Sequence, residues 1–125
     1  TPYQPEEWEY VTGLWEAENA FEAFPGNICF VGHTHEPVAW IEDGEQVEAE
    51  RFDRLHVEKG KRYLVNVGSV GQPRDRNPLA AYVVYDSEKA YFELKRVAYD
   101  LERTQQKIVA AGLPMPLAER LKLGR

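Results

Sequence analysis

The chain has 125 residues, and its 43% apolar and 12% aromatic content is typical of a globular domain rather than a disordered segment. The formal net charge of −6, with 15 Lys and Arg against 21 Asp and Glu, argues against binding to a nucleic-acid backbone or an anionic membrane. A single cysteine excludes an internal disulfide, and the longest apolar run, 79–85, is far shorter than the roughly 20 residues of a membrane span. We therefore expect one cytoplasmic domain that does not enter a membrane.

The first half of the chain predicts a helix and then a strand. Between residues 12 and 24, apolar side chains recur at spacings of three and four, which indicates an amphipathic helix that ends at Pro25 and Gly26. The continuous apolar run 28–31 is typical of a strand covered on both faces. It leads directly into the sequence Gly32-His33-Thr34-His35.

The rest of the chain predicts two hairpins, one further strand and two helices. Turn residues at 43–44 and 86–89 separate extended runs, and the residues of segment 68–78 cannot continue a strand. Asp100 can cap a helix that stops at Gly112. The expected elements are hairpin strands 38–41 and 46–52, a strand 63–67, hairpin strands 80–85 and 90–97, a helix 101–111 and a short helix 117–121.

His33 and His35 form the only group of residues with clear chemical content. Imidazole is a common ligand of zinc, manganese, iron and nickel. In an extended backbone, residues two apart project to the same side, so both rings can reach one metal ion or two adjacent ions. The alternative from residue types alone is that both histidines pack in a loop and bind backbone carbonyls.

Three blocks, found in order along most of the chain, extend this pattern. They read Phe-Val-Gly-His-Thr-His-Glu-Pro at 30–37, Val-Asn-Val-Gly-Ser-Val-Gly-Gln-Pro-Arg-Asp at 65–75 and Ala-Ala-Gly-Leu-Pro at 110–114. Together they resemble the calcineurin-like metallophosphoesterase family, in its small bacterial and archaeal form. The resemblance implies an α/β sandwich of two β-sheets flanked by helices, with residues 1–125 as the C-terminal portion of a single domain. It also implies that His33 ligates one metal ion and His35 a second.

The resemblance implies a metal-dependent phosphoesterase that hydrolyses phosphate mono- or diesters with a hydroxide activated by two divalent ions, of Mn, Fe, Ni or Zn. The family's other ligands lie in Asp-x-His, Gly-Asp and Gly-Asn-His motifs and a lone histidine, all upstream, and none is present in this chain. We therefore expect the chain to need an N-terminal half as its partner and to be inactive alone. Because strand 28–31 needs neighbours on both edges, we also expect the isolated chain to be poorly soluble or to form homo-oligomers.

Two alternatives remain open for the function. The same metals serve dinucleoside polyphosphate hydrolases, whose ligand is a nucleotide rather than a small phosphate ester. A domain that kept the fold without the complete set of metal ligands would instead be a catalytically inactive binding module.

The segment after the strand 63–67 is a candidate wall of the site. The resemblance suggests that it leaves its strand at the same edge as the histidines. Asn66 or Ser69 could then orient an imidazole, and Arg74 could bind a phosphate of the substrate with its fork of donors. The alternative is an ordinary turn-rich loop with a solvated Arg74.

The remaining candidates favour structural roles. Trp8, Trp15 and Trp40 could stack on a nucleobase, but aromatic residues in apolar surroundings are more often part of the core. Cys29 belongs to a predicted strand and is assigned a structural role. His56 lies in a charged stretch and is expected at the surface.

Overall fold

The structure is a computed structural model that describes residues 1–125, with two β-sheets and three α-helices. A short 3-10 turn, Pro5–Glu7, precedes the first helix. None of the helices has the length and apolar character of a membrane span. The elements in chain order are α1 (Leu14–Ala23), β1 (Ile28–Val31), β2 (Val38–Asp43), β3 (Gln46–Glu50), β4 (Arg54–His56), β5 (Arg62–Asn66), β6 (Ala80–Asp86), β7 (Tyr91–Val97), α2 (Leu101–Ala110) and α3 (Met115–Leu123). Every predicted helix and strand is present, and α3 is longer than expected.

The two sheets pack face to face, and α1 covers the outer face of one of them. The four-stranded sheet has the order β1-β5-β2-β3, in which only the β1–β5 pair is parallel, and the antiparallel three-stranded sheet has the order β4-β7-β6. Side chains alternate along β5, since Leu64 packs in the cluster that contains Phe21 of α1, while Tyr63 and Val65 pack in the cluster that contains Phe92 of β7. The predicted two-sheet α/β class is confirmed.

Strand β1 differs from its prediction in how much of it is covered. It lies at the edge of its sheet with β5 as its only partner, and Phe30 is 45% exposed. The Phe30 ring contacts Tyr85 and Phe92 of the other sheet, with ring centroids 6.1 and 5.7 Å apart. Cys29 and Val31 pack toward α1, and Ile28 packs toward the other sheet. Both faces of β1 are therefore covered as expected, but only in part, and one edge of the strand is free.

Strand β4 is absent from the sequence-based prediction because its residues form a short charged stretch. Arg54 faces Glu93 of β7 across the sheet, and their side chains form an ion pair at 2.9 Å. Leu55 packs against the core between the sheets, while His56 is exposed, as expected of a surface histidine. The strand depends on its partner β7, which lies far away in the sequence.

Helices α2 and α3 form a hairpin at the end of the chain. As predicted, the Asp100 carboxylate accepts a hydrogen bond from the Arg103 backbone N–H at 3.0 Å. Gly124, which follows α3, has a φ of +59°, and a Cβ there would lie 2.6 Å from the Asn77 backbone nitrogen. The chain therefore ends in close contact with the loop that precedes β6.

Candidate metal centre

The parallel pairing of β1 with β5 brings two candidate segments together. Val31 is opposite Asn66, so both strands end at the same edge of the sheet. The segment 32–35, here called the histidine loop, and the segment 67–78, here called the long loop, start side by side at this edge. The expectation that these two segments share an edge is confirmed.

The backbone of the histidine loop is not extended, so the geometry expected from the sequence is wrong. His33 has a φ of 76° and His35 a φ of 64°, which is left-handed backbone that non-glycine residues rarely adopt. Each such residue costs about 1–2 kcal/mol. The rest of the structure must hold both histidines in this conformation, and strained residues of this kind cluster at functional sites.

Asn66 holds the histidine loop through its backbone and hydroxyl groups rather than through an imidazole. Its amide nitrogen donates to the Gly32 carbonyl and to Thr34 Oγ1, both at 2.8 Å. Its amide oxygen accepts from the Gly68 N–H at 3.0 Å, and the residue is only 1% exposed. Asn66 therefore joins the two loops, and the predicted hydrogen bond from Asn66 to an imidazole is absent.

Ser69 and Gln72 position His35 from the long loop. The Ser69 hydroxyl accepts from the Gly71 and Gln72 N–H groups at 3.3 and 2.9 Å, and it makes no hydrogen bond to an imidazole. The carbonyl oxygen of Gln72 lies 2.8 Å from His35 Nδ1, so Nδ1 donates to it and the lone pair is on Nε2. A backbone carbonyl leaves no signal in a sequence, so the role of Gln72 was not predicted.

Both histidines line one cavity of about 590 Å³, together with residues near the start of the chain. The ring of Tyr10 stacks on that of His33 with centroids 4.0 Å apart, and Trp8 lies at the same ring at 6.2 Å. Trp8 is 72% exposed and lines the cavity. The core role favoured for the tryptophans is therefore wrong for Trp8.

The other two tryptophans differ from each other. Trp40 is buried in the cluster beneath α1, in agreement with the favoured core role. Trp15 is 66% exposed on α1, so the core role is wrong for it as well.

Cys29 also lines this cavity, as a half-buried residue of β1. Burial raises the pKa of its thiol, because the thiolate loses hydration in apolar surroundings. The side chain is therefore mostly protonated near neutral pH, which agrees with a structural role rather than that of a nucleophile.

Arg74 is bound to the histidine loop but lines a different cavity. Its backbone N–H donates to the His35 carbonyl at 3.2 Å, and its guanidinium donates to the side-chain oxygen of Gln72 at 2.8 and 3.3 Å. The cavity that it lines contains neither His33 nor His35. Arg74 is therefore near the candidate metal centre and only partly solvated.

The two histidines fit as part of a metal centre. His35 has a fixed tautomer with a free Nε2, and a hydrogen bond to the second ring nitrogen is the usual arrangement for a ligating imidazole. No group of three or more His, Cys, Asp and Glu side chains in the chain could hold a metal ion. Two imidazoles do not complete the coordination of two divalent ions.

The chain is similar in sequence to one known protein and in structure to another. No protein-family model matches the chain. It is 40% identical over 124 residues to an uncharacterized protein of Methanocaldococcus jannaschii, covering 99% of this chain and 49% of that protein. It matches the crystal structure of a metallophosphoesterase from Sphaerobacter thermophilus with a TM-score of 0.85 and 38% identity, over 94% of this chain and 50% of that one. The chain has the fold of half a metallophosphoesterase.

This finding confirms the resemblance to metallophosphoesterases and is consistent with the predicted C-terminal half. The chain spans about half the length of both relatives. In this chain, the histidine loop lies at the carboxyl end of β1, which pairs with β5 on one edge and is free on the other.

Proposed function

We propose that the complete protein containing this chain is a metal-dependent hydrolase of phosphate mono- or diesters, with His33 and His35 among its metal ligands. One observation carries the proposal: two histidines held in left-handed backbone line one cavity, and His35 has its Nε2 free. The likeness of the fold to a metallophosphoesterase supports the same reaction class.

The residues of this chain would hold and orient the centre. When bound, divalent ions would supply Lewis-acid polarisation of the phosphoryl oxygens. The Gln72 carbonyl would keep His35 in the ligating tautomer and raise the basicity of its Nε2. Arg74, whose guanidinium is bound at Gln72, would donate from its remaining N–H groups to a phosphate oxygen of the substrate.

The remaining ligands would have to come from a second part of the protein, because no group of three His, Cys, Asp or Glu side chains in the chain is placed to hold a metal ion. We therefore expect the 125-residue chain alone to be catalytically inactive. Imidazole donors leave Mn, Fe, Ni and Zn as candidate ions.

Replacement of the histidines one at a time tests the assignment. In the complete protein, His33→Ala and His35→Ala should each reduce both the bound metal, measured by elemental analysis, and the hydrolysis of p-nitrophenyl phosphate and bis-p-nitrophenyl phosphate. The matched control is His56→Ala, since His56 is the third histidine of the chain and is exposed on β4. It should retain the metal content and both activities.

Unchanged metal content and activity in both His33→Ala and His35→Ala would end the assignment. If the metal were lost but neither ester were hydrolysed by the unmodified protein, the chain would belong to a metal-binding module and not to a phosphoesterase.

A specific observation favours nucleotides as a second class of substrate. Trp8 lines the same cavity as the histidines with an indole that is 72% exposed, and an exposed aromatic face can stack on a base. For a dinucleoside polyphosphate hydrolase, Trp8→Ala should raise the KM for diadenosine tetraphosphate without changing that for p-nitrophenyl phosphate. Trp15→Ala, which alters an exposed indole outside this cavity, is the control. Equal effects of both variants would exclude base stacking at Trp8.

A further inference from the structure

A concave surface beside the histidine loop is lined only by charged side chains. It encloses about 360 Å³, and we call it the arginine cleft. It is lined by Glu36, Arg51, Arg74, Asp75 and Arg76. Three cations against two carboxylates give it a positive balance, although the whole chain carries a net charge of −6.

The two carboxylates of the arginine cleft neutralise little of this positive charge. Asp75 forms a short ion pair with Arg96, which lies outside the cleft, so its charge is already balanced. Glu36 lies 3.7 Å from Arg51, and both side chains are exposed to solvent. An exposed pair at this distance is screened by water and salt, so Arg51 can exchange Glu36 for a stronger anion.

The other two arginines have no carboxylate partner. The guanidinium of Arg74 is hydrogen bonded only to the neutral amide oxygen of Gln72. The guanidinium of Arg76 makes no hydrogen bond or ion pair, and the residue is exposed. Cationic groups that converge on a concave surface without counter-charges are the arrangement by which proteins bind phosphate, because the guanidinium fork matches two phosphate oxygens.

The backbone of Arg76 is held in place by the end of the chain. Arg76 has a φ of 66°, and its N–H donates to the Gly124 carbonyl at 2.9 Å. Gly124 packs so closely against this segment that a Cβ would lie 2.8 Å from the Arg76 carbonyl carbon. The backbone position from which the Arg76 side chain extends is therefore fixed, which lowers the conformational entropy lost when an anion binds.

Gln72 connects the arginine cleft to the candidate metal centre. Its backbone oxygen accepts from the His35 imidazole, and its side-chain oxygen accepts from the Arg74 guanidinium, both at 2.8 Å. The imidazole and the guanidinium are thus bound to two oxygens of the same residue. The arginine cleft is therefore next to the candidate metal centre.

We propose that the arginine cleft binds a second phosphate of the substrate whose ester is cleaved at His33 and His35. This inference rests on the proposed function and narrows it to esters that carry at least two phosphate groups, such as bisphosphates. Arg51 and Arg76 bind the phosphate that is not cleaved, and Arg74 lies between the two sites.

Direct binding tests the arginine cleft without any turnover. Inorganic pyrophosphate is titrated calorimetrically into the complete protein after treatment with a chelator, so that metal ions contribute nothing to the affinity. The double variant Arg51→Gln/Arg76→Gln should bind pyrophosphate at least roughly tenfold more weakly, because two charge-assisted hydrogen-bond donors are lost. The double variant Arg51→Lys/Arg76→Lys, which keeps the charge without the fork, should bind with intermediate affinity.

Lys89→Gln is a control that removes one positive charge outside the arginine cleft. Lys89 is exposed in the turn between β6 and β7. The cleft residue Asp75 pairs with Arg96, which is near the opposite end of this hairpin, so Lys89 lies away from the cleft. Its pyrophosphate affinity and thermal unfolding temperature should equal those of the unmodified protein. Equal pyrophosphate affinity in Arg51→Gln/Arg76→Gln and Lys89→Gln would overturn the proposal.

Kinetics with the metal-loaded protein separate this inference from the proposed function. Adenosine 3′,5′-bisphosphate should have a lower KM than adenosine 5′-phosphate, and Arg51→Gln/Arg76→Gln should remove the difference while leaving p-nitrophenyl phosphate hydrolysis unchanged. Two results would refute the second phosphate site and leave the phosphoesterase assignment intact. One is an equal loss of activity toward all three esters in Arg51→Gln/Arg76→Gln, and the other is equal KM values for both nucleotides in the unmodified protein. If no ester is hydrolysed, the proposed function fails, and the pyrophosphate titration still decides whether the cleft binds phosphate.

Discussion

Replacement of Asn66 by aspartate tests how the histidine loop is held. The Asn66 amide group is buried, donates to the Gly32 carbonyl and Thr34 Oγ1, and accepts from the Gly68 N–H. Asn66→Asp keeps the size of the side chain and the bond from Gly68. It removes both donated hydrogen bonds and places a negative charge against the Gly32 carbonyl oxygen.

The expected loss of stability follows from these contacts. The Thr34 hydroxyl can rotate and donate to the new carboxylate, so only the Gly32 carbonyl loses its partner, at a cost of about 1–3 kcal/mol. The buried charge adds a penalty of similar size. A total of about 2–6 kcal/mol is a large fraction of the roughly 5–15 kcal/mol that stabilises a domain.

Urea unfolding of the complete protein, with Asn77→Asp as a control, measures this loss. The Asn77 amide oxygen accepts from the Leu79 N–H at 3.0 Å, and its amide nitrogen has no partner, so aspartate preserves the only hydrogen bond of this side chain. The control should change the free energy of unfolding by less than about 0.5 kcal/mol. We also expect metal affinity to fall by about 10–100-fold in Asn66→Asp, because Asn66 supports the loop that carries both candidate ligands. Equal unfolding free energies for the two variants would refute this account of Asn66.

Three further predictions follow from individual residues. Gly68→Ala should lower the free energy of unfolding by about 2–5 kcal/mol in denaturant titrations, because Gly68 has a φ of +78° and a new Cβ would lie 2.8 Å from Pro37, whereas Gly71→Ala, with open space, should be almost neutral. Cys29 should be alkylated by iodoacetamide more slowly than free cysteine at pH 7.5, since burial raises its thiol pKa, and a rate equal to that of free cysteine would contradict this. Arg74→Ala should raise KM or lower kcat by roughly 10–100-fold with metal content intact, and unchanged kinetics would assign Arg74 to the solvated surface.

The sequence predicted the elements whose signals are local. Apolar spacing and turn residues placed α1 and both hairpins, and the capping carboxylate of Asp100 placed the start of α2. Strand β4 was missed because its three residues form a strand only opposite Glu93, Phe92 and Tyr91 of β7, a partner that local pattern does not reveal. The free edge of β1 agrees with the expectation that this strand needs neighbours on both edges and finds only some of them within these residues.

The candidate site was predicted in its residue types but not in its geometry. His33 and His35 were singled out because imidazoles carry recognisable chemistry, and both line one cavity. The backbone that presents them is left-handed rather than extended, and the oxygen that orients His35 belongs to the main chain of Gln72. Asn66 was also singled out, but a sequence does not distinguish an amide bonded to an imidazole from one bonded to a carbonyl.

The parallel pairing of β1 with β5 has a consequence for the order in which the chain folds. The β2–β3 and β6–β7 hairpins close over short turns, whereas the partner of β1 among the residues 1–125 is the later strand β5. Until β5 follows, the four residues of β1 have no backbone partner among the residues 1–125. The hydrogen bond from His35 to Gln72 requires the loops that follow both strands, so the histidine loop takes its final conformation only after β5 and the long loop are in place.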